Sequence, residues 1–174
     1  MAKVNVSFEA RQFEPMRFIG KKTIVEKEKT ATKFVKAFRE GGDLDFLMQL
    51  EGRITPDGDF AIWMGDYDSV TASFTEIVGV FAEANCPVPE GWDHKDMPGC
   101  TLGICSIEGP TRSLSSGAHN KAVKQMKLSG YEADYSYGFS MEYYSHEKYA
   151  IGIEGAENPY TFVYLLPCTK AKEQ

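Results

Sequence analysis

The sequence lacks the features that mark several common classes of protein. Its four cysteines, Cys86, Cys100, Cys105 and Cys168, form no CxxC pair, and its three histidines do not stand at zinc-finger spacing. No apolar run reaches transmembrane length, and no signal peptide is recognisable. We therefore predict free structural cysteines in a reducing, cytoplasmic setting, with no metal site and no membrane association.

Basic residues are also fewer than acidic ones. With 25 acidic and 19 basic residues the net charge is −6, which disfavours a broad phosphate-binding surface. Residues 1–13 are too few for a helix-turn-helix domain, so we predict no direct contact with nucleic acid, although a separately encoded DNA-binding regulator could be a partner. The GxG and GG pairs lack the strand-to-helix context of a nucleotide-binding loop.

What the sequence does have is a soluble composition rich in aromatic residues. Its 174 residues suffice for one domain with a sizeable core, and 43% of them are hydrophobic. Aromatic residues make up 13%, and nine of them are tyrosines, which commonly line sites that are apolar and yet form hydrogen bonds.

Two halves of the chain show the same order of predicted elements: strand, helix, strand, strand. In the first half these are Met16–Val25, Lys29–Arg39, Phe60–Met64 and Val70–Phe81. In the second half they are Cys100–Ile107, a helix that starts at Thr111 or Ser113 and ends at Ser129-Gly130, Phe139–Ser145 and Tyr160–Leu166. We predict an α+β domain over residues 1–174, built from duplicated βαββ units at about 15–82 and 98–168. An irregular loop over 85–98 joins them. The two units would form a fused antiparallel sheet with two helices on one face and a ligand cleft on the other.

One carboxylate stands out within an aromatic-rich strand near the end of the chain. The period of two in Phe139–Ser145 places Glu142 and Tyr144 on one strand face and Met141 on the other. If the apolar face belongs to the core, Glu142 and Tyr144 point together into solvent or into a pocket. A solvated strand face and a functional pocket are both compatible with this pattern.

An ordered series of short motifs resembles the GyrI-like small-molecule-binding domain, which also occurs as the effector-binding domain of AraC-type and MerR-type regulators. The motifs are Phe74-Thr75-Glu76-Ile77-Val78-Gly79, Val88-Pro89-Glu90-Gly91-Trp92, Met97-Pro98-Gly99-Cys100-Thr101, Glu108-Gly109-Pro110, Ser129-Gly130-Tyr131-Glu132, Met141-Glu142-Tyr143-Tyr144 and Tyr164-Leu165-Leu166-Pro167. The resemblance spans roughly residues 14–170. It implies a fold related to the SOUL family and a pocket that binds small molecules, in some members several drugs.

The chain departs from that family at two positions. Members that bind cationic drugs carry a glutamate four residues before the final proline, where this chain has Val163. A tyrosine expected in an earlier strand is replaced by Glu76, which could supply an acid or pair with a surface lysine. The candidate ligand-binding residues are Glu142, Tyr144, Glu76, Trp63, Trp92, Tyr164 and Phe74.

Three functions remain open for such a site. A carboxylate among aromatic rings suits a planar or lipophilic ligand, cationic or neutral, as in drug or toxin sensing and sequestration. Some stand-alone GyrI-like proteins hydrolyse cyclopropane-bearing natural products, and Glu142 or Glu76 would then be the catalytic general base, with a tyrosine as hydrogen-bond donor. The resemblance also allows an inhibitor that binds a topoisomerase. No cofactor is predicted, because no histidine lies at a convincing position for an axial haem ligand.

Overall fold

The computed structural model describes residues 4–26, 29–109, 114–145 and 160–172. The predicted helix starts at Thr111 and Ser113 lie outside these ranges. Within them the chain is α+β and its strand pairings are antiparallel, as predicted. The strands are β1 Asn5–Phe13, β2 Met16–Val25, β3 Phe60–Asp68, β4 Ser73–Glu83, β5 Asp93–Met97, β6 Cys100–Gly109, β7 Tyr131–Ala133, β8 Phe139–Tyr144 and β9 Tyr160–Lys170. The helices are α1 Thr32–Glu40, α2 Asp43–Met48 and α3 Ala118–Leu128.

The chain divides into two compact units, which we call the terminal unit (residues 1–13 and 100–174) and the central unit (residues 14–99). In the terminal unit the strand order is β1-β6-β9-β8, and the short β7 pairs with the far end of β9. In the central unit the order is β5-β2-β4-β3. The two orders correspond. An outer strand (β1 or β5) comes first, and after it come the first, third and second strands of a βαββ unit, which are β6, β9 and β8 in the terminal unit and β2, β4 and β3 in the central unit. The predicted duplication is therefore confirmed.

The outer strands β1 and β5 do not appear in the sequence prediction. β1 pairs with β6 along its whole length, and β5 pairs with the first half of β2. β5 lies inside the segment 85–98, for which the sequence indicated an irregular loop. Its sequence, Asp-His-Lys-Asp-Met, has a single apolar residue, so its strand conformation depends on pairing with β2 rather than on its own pattern.

Helices α1 and α3 are each followed closely by a glycine with a positive φ. Gly42 has a φ of +93° between α1 and α2, and Gly130 has a φ of +78° directly after Ser129, the C-cap of α3. Positive φ is accessible to glycine at little cost, which explains why both helices end at these positions. The end of α3 at Ser129-Gly130 agrees with the sequence prediction.

Each unit has its own apolar core. In the terminal unit the largest fully buried side chains are Leu102, Ile107, Met126, Met141 and Leu166. In the central unit they are Phe18, Ile19, Phe38, Leu47, Ile77, Val78 and Val80. No helix in the described ranges is long and apolar enough to cross a membrane.

Candidate functional site

Strand β8 positions the carboxylate that the sequence singled out. Phe139 and Met141 are buried, whereas Glu142 and Tyr144 are half-buried and share the opposite strand face. The Tyr144 hydroxyl donates a hydrogen bond to the Glu142 carboxylate. Burial raises the pKa of Glu142, and the hydrogen bond from Tyr144 opposes that rise. The site therefore holds a carboxylate that is short of water and has one tyrosine donor.

Strand β9 places Tyr164 directly across from Glu142. Residues that face each other in an antiparallel pair project to the same side of the sheet, so the two side chains share one face. Tyr164 is only 6% exposed, and its hydroxyl donates to Ser140 Oγ at 2.8 Å. Burial is the main reason that the pKa of Tyr164 is raised. The ring of Phe162, two residues earlier on β9, meets Tyr144 edge-on with ring centroids 5.9 Å apart.

This face of the terminal unit also carries α3. Cys105 on β6 faces Tyr164 across the ladder, and its Sγ lies 3.8 Å from the Ala122 carbonyl oxygen in α3. His119, in the first turn of α3, packs edge-on against the Tyr164 ring at 5.9 Å between centroids. Glu142 therefore lies on the helix-bearing side of its sheet, opposite a tyrosine that the helix contacts. This is not the face on which the sequence predicted a ligand cleft.

We define the terminal site as Glu142, Tyr144, Tyr164, Ser140 and His119. The sequence predicted the first three of these residues, and the structure brings them together. The sequence singled out neither Ser140 nor His119. The only signal for His119 was its spacing of three residues from Ala122, which places both on one face of α3.

The other four predicted site residues belong to the central unit. Trp63 on β3 is 5% exposed, and the Lys95 ammonium lies 4.8 Å from its ring centroid. Lys95 also forms an ion pair with Asp66 at 2.5 Å. Trp63 is thus a core residue with a cation of the chain already beside its ring.

Trp92 occupies the position directly before β5 and is half-buried. Its ring stacks on Phe46 of α2 with centroids 5.1 Å apart and planes 9° apart. Lys21 Nζ lies 4.2 Å from the Trp92 ring centroid and donates a hydrogen bond to the Gly91 carbonyl at 3.0 Å. These contacts attach the loop before β5 to strand β2 and helix α2.

Phe74 and Glu76 lie two residues apart on β4 and hence on one strand face. Phe74 is half-buried, whereas Glu76 is 7% exposed and is paired in register with Met64 on β3 and Thr23 on β2. Glu76 is a buried acid of the central unit, not a solvated surface residue.

A groove of about 620 Å³ that the sequence did not indicate also lies in the central unit. It is lined by Leu50, Glu51, Gly52, Glu83, Asn85, Cys86, Pro87, Val88 and Pro89. Cys86 Sγ donates to the Glu51 carbonyl oxygen at 3.1 Å, and burial raises the pKa of this thiol. Thiols of raised pKa are poor nucleophiles, so the groove offers shape and carboxylates rather than a reactive sulfur.

The cysteines are free and buried, as predicted. Burial raises the pKa of Cys105 to about 12 and that of Cys168 to about 11. In the described ranges no group of three or more His, Cys, Asp or Glu side chains is arranged to hold a metal ion.

Comparisons with known proteins add information on the fold. No family model matches the sequence, and no curated protein matches it. Among solved structures, SAV2435 bound to tetraphenylphosphonium is similar with a TM-score of 0.66 at 10% identity, over 94% of each chain. The crystal structure of the EcmrR C-terminal domain is similar with a TM-score of 0.61 at 12% identity, over 95% of this chain and 99% of that one.

A third similar structure is that of a Staphylococcus aureus MU50 protein described as a bacterial transcription regulation protein. It has a TM-score of 0.64 at 10% identity, over 94% of this chain and 98% of that one. At such low identity a likeness establishes the fold and nothing finer. The chain therefore has the fold of SAV2435 and of the EcmrR C-terminal domain.

Proposed function

We propose that this chain is a GyrI-like small-molecule-binding protein whose terminal site takes a lipophilic cation. The observation that carries the proposal is the Glu142 carboxylate, half-buried on the helix-bearing face and held by the Tyr144 hydroxyl. A carboxylate that burial deprives of water gains most from a partner that brings positive charge without a tight hydration shell. Lipophilic organic cations meet that requirement.

The aromatic groups around Glu142 suit the apolar part of such a ligand. Tyr144 and Tyr164 share the strand face of the carboxylate, and Phe162 packs against Tyr144. Aromatic faces attract cations by their quadrupole, with a strength of about 0.5–2 kcal/mol per contact. The fold shared with SAV2435, which was solved with tetraphenylphosphonium bound, supports the choice of that cation as a probe.

The proposal rests on the terminal unit. In the central unit the rings of Trp63 and Trp92 each have a lysine ammonium of the chain within 5 Å of the centroid. An added cation would have to displace that lysine. The terminal site instead has the Glu142 carboxylate at its centre, which attracts a cation.

The test compares two ions of the same shape and opposite charge. Tetraphenylphosphonium should raise the unfolding midpoint saturably, because a ligand of the native state stabilises it by mass action. Tetraphenylborate should leave the midpoint unchanged at the same concentrations. Equal stabilisation by both ions, or by neither, would refute a cation site.

A second function, hydrolysis of a strained electrophile such as a cyclopropane-bearing natural product, is favoured by one observation. Burial raises the pKa of Glu142, and a tyrosine hydroxyl lies in hydrogen-bond contact with its carboxylate. A more basic carboxylate is a stronger general base towards water. Product analysis on every stabilising compound separates the two functions, since a binding protein returns its ligand unchanged. For a hydrolase, Glu142→Gln should abolish turnover and spare binding.

A further inference from the structure

Both ring nitrogens of His119 are engaged within the terminal unit. Nδ1 lies 3.3 Å from the Tyr164 hydroxyl oxygen, and Nε2 lies 3.2 Å from that of Tyr135. Tyr135 begins the short 3-10 turn Tyr135–Tyr137 and is 62% exposed, whereas Tyr164 is 6% exposed. His119 thus connects a phenol at the surface with a phenol in the interior.

The hydrogen bonds of this series all run in one direction. The Tyr164 hydroxyl donates its hydrogen to Ser140 Oγ, so towards His119 the Tyr164 oxygen can only act as an acceptor. A neutral imidazole has a single N–H, and that hydrogen must then be on Nδ1. Nε2 is left as an acceptor for the Tyr135 hydroxyl. The order of donation is Tyr135 to His119 to Tyr164 to Ser140.

The chain of donors ends at Ser140, beside the carboxylate. Ser140 lies two residues before Glu142 on β8, on the same strand face, about 7 Å away along the strand. Its oxygen accepts from Tyr164, and no acceptor for its own hydroxyl hydrogen lies among the described residues. The strand thus presents a hydroxyl donor next to a carboxylate acceptor.

We propose that His119 is a positioning residue that aligns Tyr164 and Ser140, so that the terminal site selects lipophilic cations carrying a hydrogen-bond acceptor. The ligand class is an organic cation with a carbonyl or similar oxygen placed to meet Ser140 while the positive charge meets Glu142. This selection rests on the proposed cation site, whereas the alignment by His119 can be measured without any ligand.

The first experiment determines the His119 tautomer. Long-range proton–nitrogen correlation spectra of the nitrogen-15-labelled protein distinguish Nδ1–H from Nε2–H. The chain has only three histidines, and His119→Asn assigns the signal. We expect the Nδ1–H form in the wild type and a weaker preference for it in Tyr135→Phe, because Nε2 then loses its donor while Tyr164 still accepts from Nδ1. The matched control, Tyr137→Phe in the same turn, should leave the tautomer unchanged. An Nε2–H tautomer in the wild type would overturn the proposed alignment.

The second experiment measures selection with two cations of matched size, by titration calorimetry. Acetylphenyl-triphenylphosphonium has a ketone oxygen, whereas isopropylphenyl-triphenylphosphonium has none; the 3- and 4-substituted isomers of each are used. The better acetyl isomer should bind about five-fold more tightly than its matched isopropyl compound, as expected for one net hydrogen bond. Ser140→Ala should remove this ratio and keep the affinity for the isopropyl compound.

The variants of His119 separate positioning from packing. The Asn amide nitrogen can occupy the place of Nδ1, so His119→Asn should keep the preference for the acetyl compound. His119→Leu fills the space without a donor and should lose it. If both cations bind equally well to the wild type, the selection is refuted and the cation site stands. If neither binds, the proposed function itself fails, and the tautomer spectrum still decides the role of His119.

Discussion

Replacing Glu142 by glutamine tests the proposed site most directly. The amide keeps the size of the side chain and an oxygen to accept from Tyr144, so charge is the main property that changes. A cation about 6 Å from the carboxylate gains about 3 kcal/mol at an effective dielectric constant of about 20. Desolvation of the carboxylate on binding offsets part of this gain. We expect Glu142→Gln to weaken binding of tetraphenylphosphonium by about ten-fold to 100-fold, at 1.4 kcal/mol per factor of ten.

Titration calorimetry at pH 8 measures this loss, with Glu132→Gln as the matched control. Glu132 lies exposed on β7. Strand β9 separates β7 from β8, because it pairs with both. Its replacement removes one negative charge, as Glu142→Gln does, and should change the affinity less than two-fold, because exposed charges are screened. Equal losses in the two variants would show that overall charge, and not Glu142, attracts the cation. No loss in either would remove Glu142 from the site.

The same substitution should have the opposite effect on stability. Because burial raises the pKa of Glu142 above its value in the unfolded chain, the native state holds the proton more tightly. The resulting stabilisation is complete below the unfolded pKa, about 4.3, and is lost as the pH rises through the folded pKa. Glu142→Gln does not titrate there, so its stability relative to the wild type should rise between pH 4 and pH 8. Urea unfolding across this range measures the difference; a constant difference would refute the raised pKa.

Three further predictions concern the rest of the chain. Gly79→Ala should destabilise the protein by about 3 kcal/mol or more in urea unfolding, because the new Cβ would lie 2.0 Å from a backbone carbonyl oxygen of β2 that cannot move aside; full stability would mean that the strands separate easily. Cys105 and Cys168 should resist a maleimide at pH 8 in the native protein and react after unfolding, since their pKa values are raised to about 12 and 11; rapid native labelling would contradict their burial. A double-mutant cycle between Lys21→Met and Trp92→Leu should give a coupling of about 0.5–1 kcal/mol, whereas additive effects would show that the 4.2 Å contact contributes nothing.

Local patterns predicted the elements that carry their own signal. Met16–Val25 is a strand in both the sequence prediction and the structure, and Gly130 ends α3 in both. The outer strand β1 carries such a signal too, because Val6, Phe8 and Ala10 alternate with polar residues, and the prediction overlooked it. β5 could not be predicted in this way, since it is almost entirely polar. Its conformation comes from hydrogen bonds to β2, and such pairing depends on residues distant in the sequence.

The candidate site shows the same limit. The period of a strand sufficed to place Glu142 beside Tyr144. To predict that Tyr164 lies opposite Glu142, one must know the register between β8 and β9. No local sequence pattern determines that register. The contact of His119 with Tyr164 required in addition that α3 pack on that face. Residues that act through contacts between elements are therefore the ones that sequence reasoning missed.

Each unit carries a glutamate in a βαββ topology, but on a different strand of it. In the terminal unit Glu142 is on β8 and lies opposite Tyr164 of β9. In the central unit Glu76 is on β4 and lies opposite Met64 of β3 and Thr23 of β2. Glu142 also accepts a hydrogen bond from Tyr144 on its own strand. Duplication supplied one scaffold twice, and the tyrosine, serine and histidine around Glu142 are what favour the terminal unit as the place where a ligand binds.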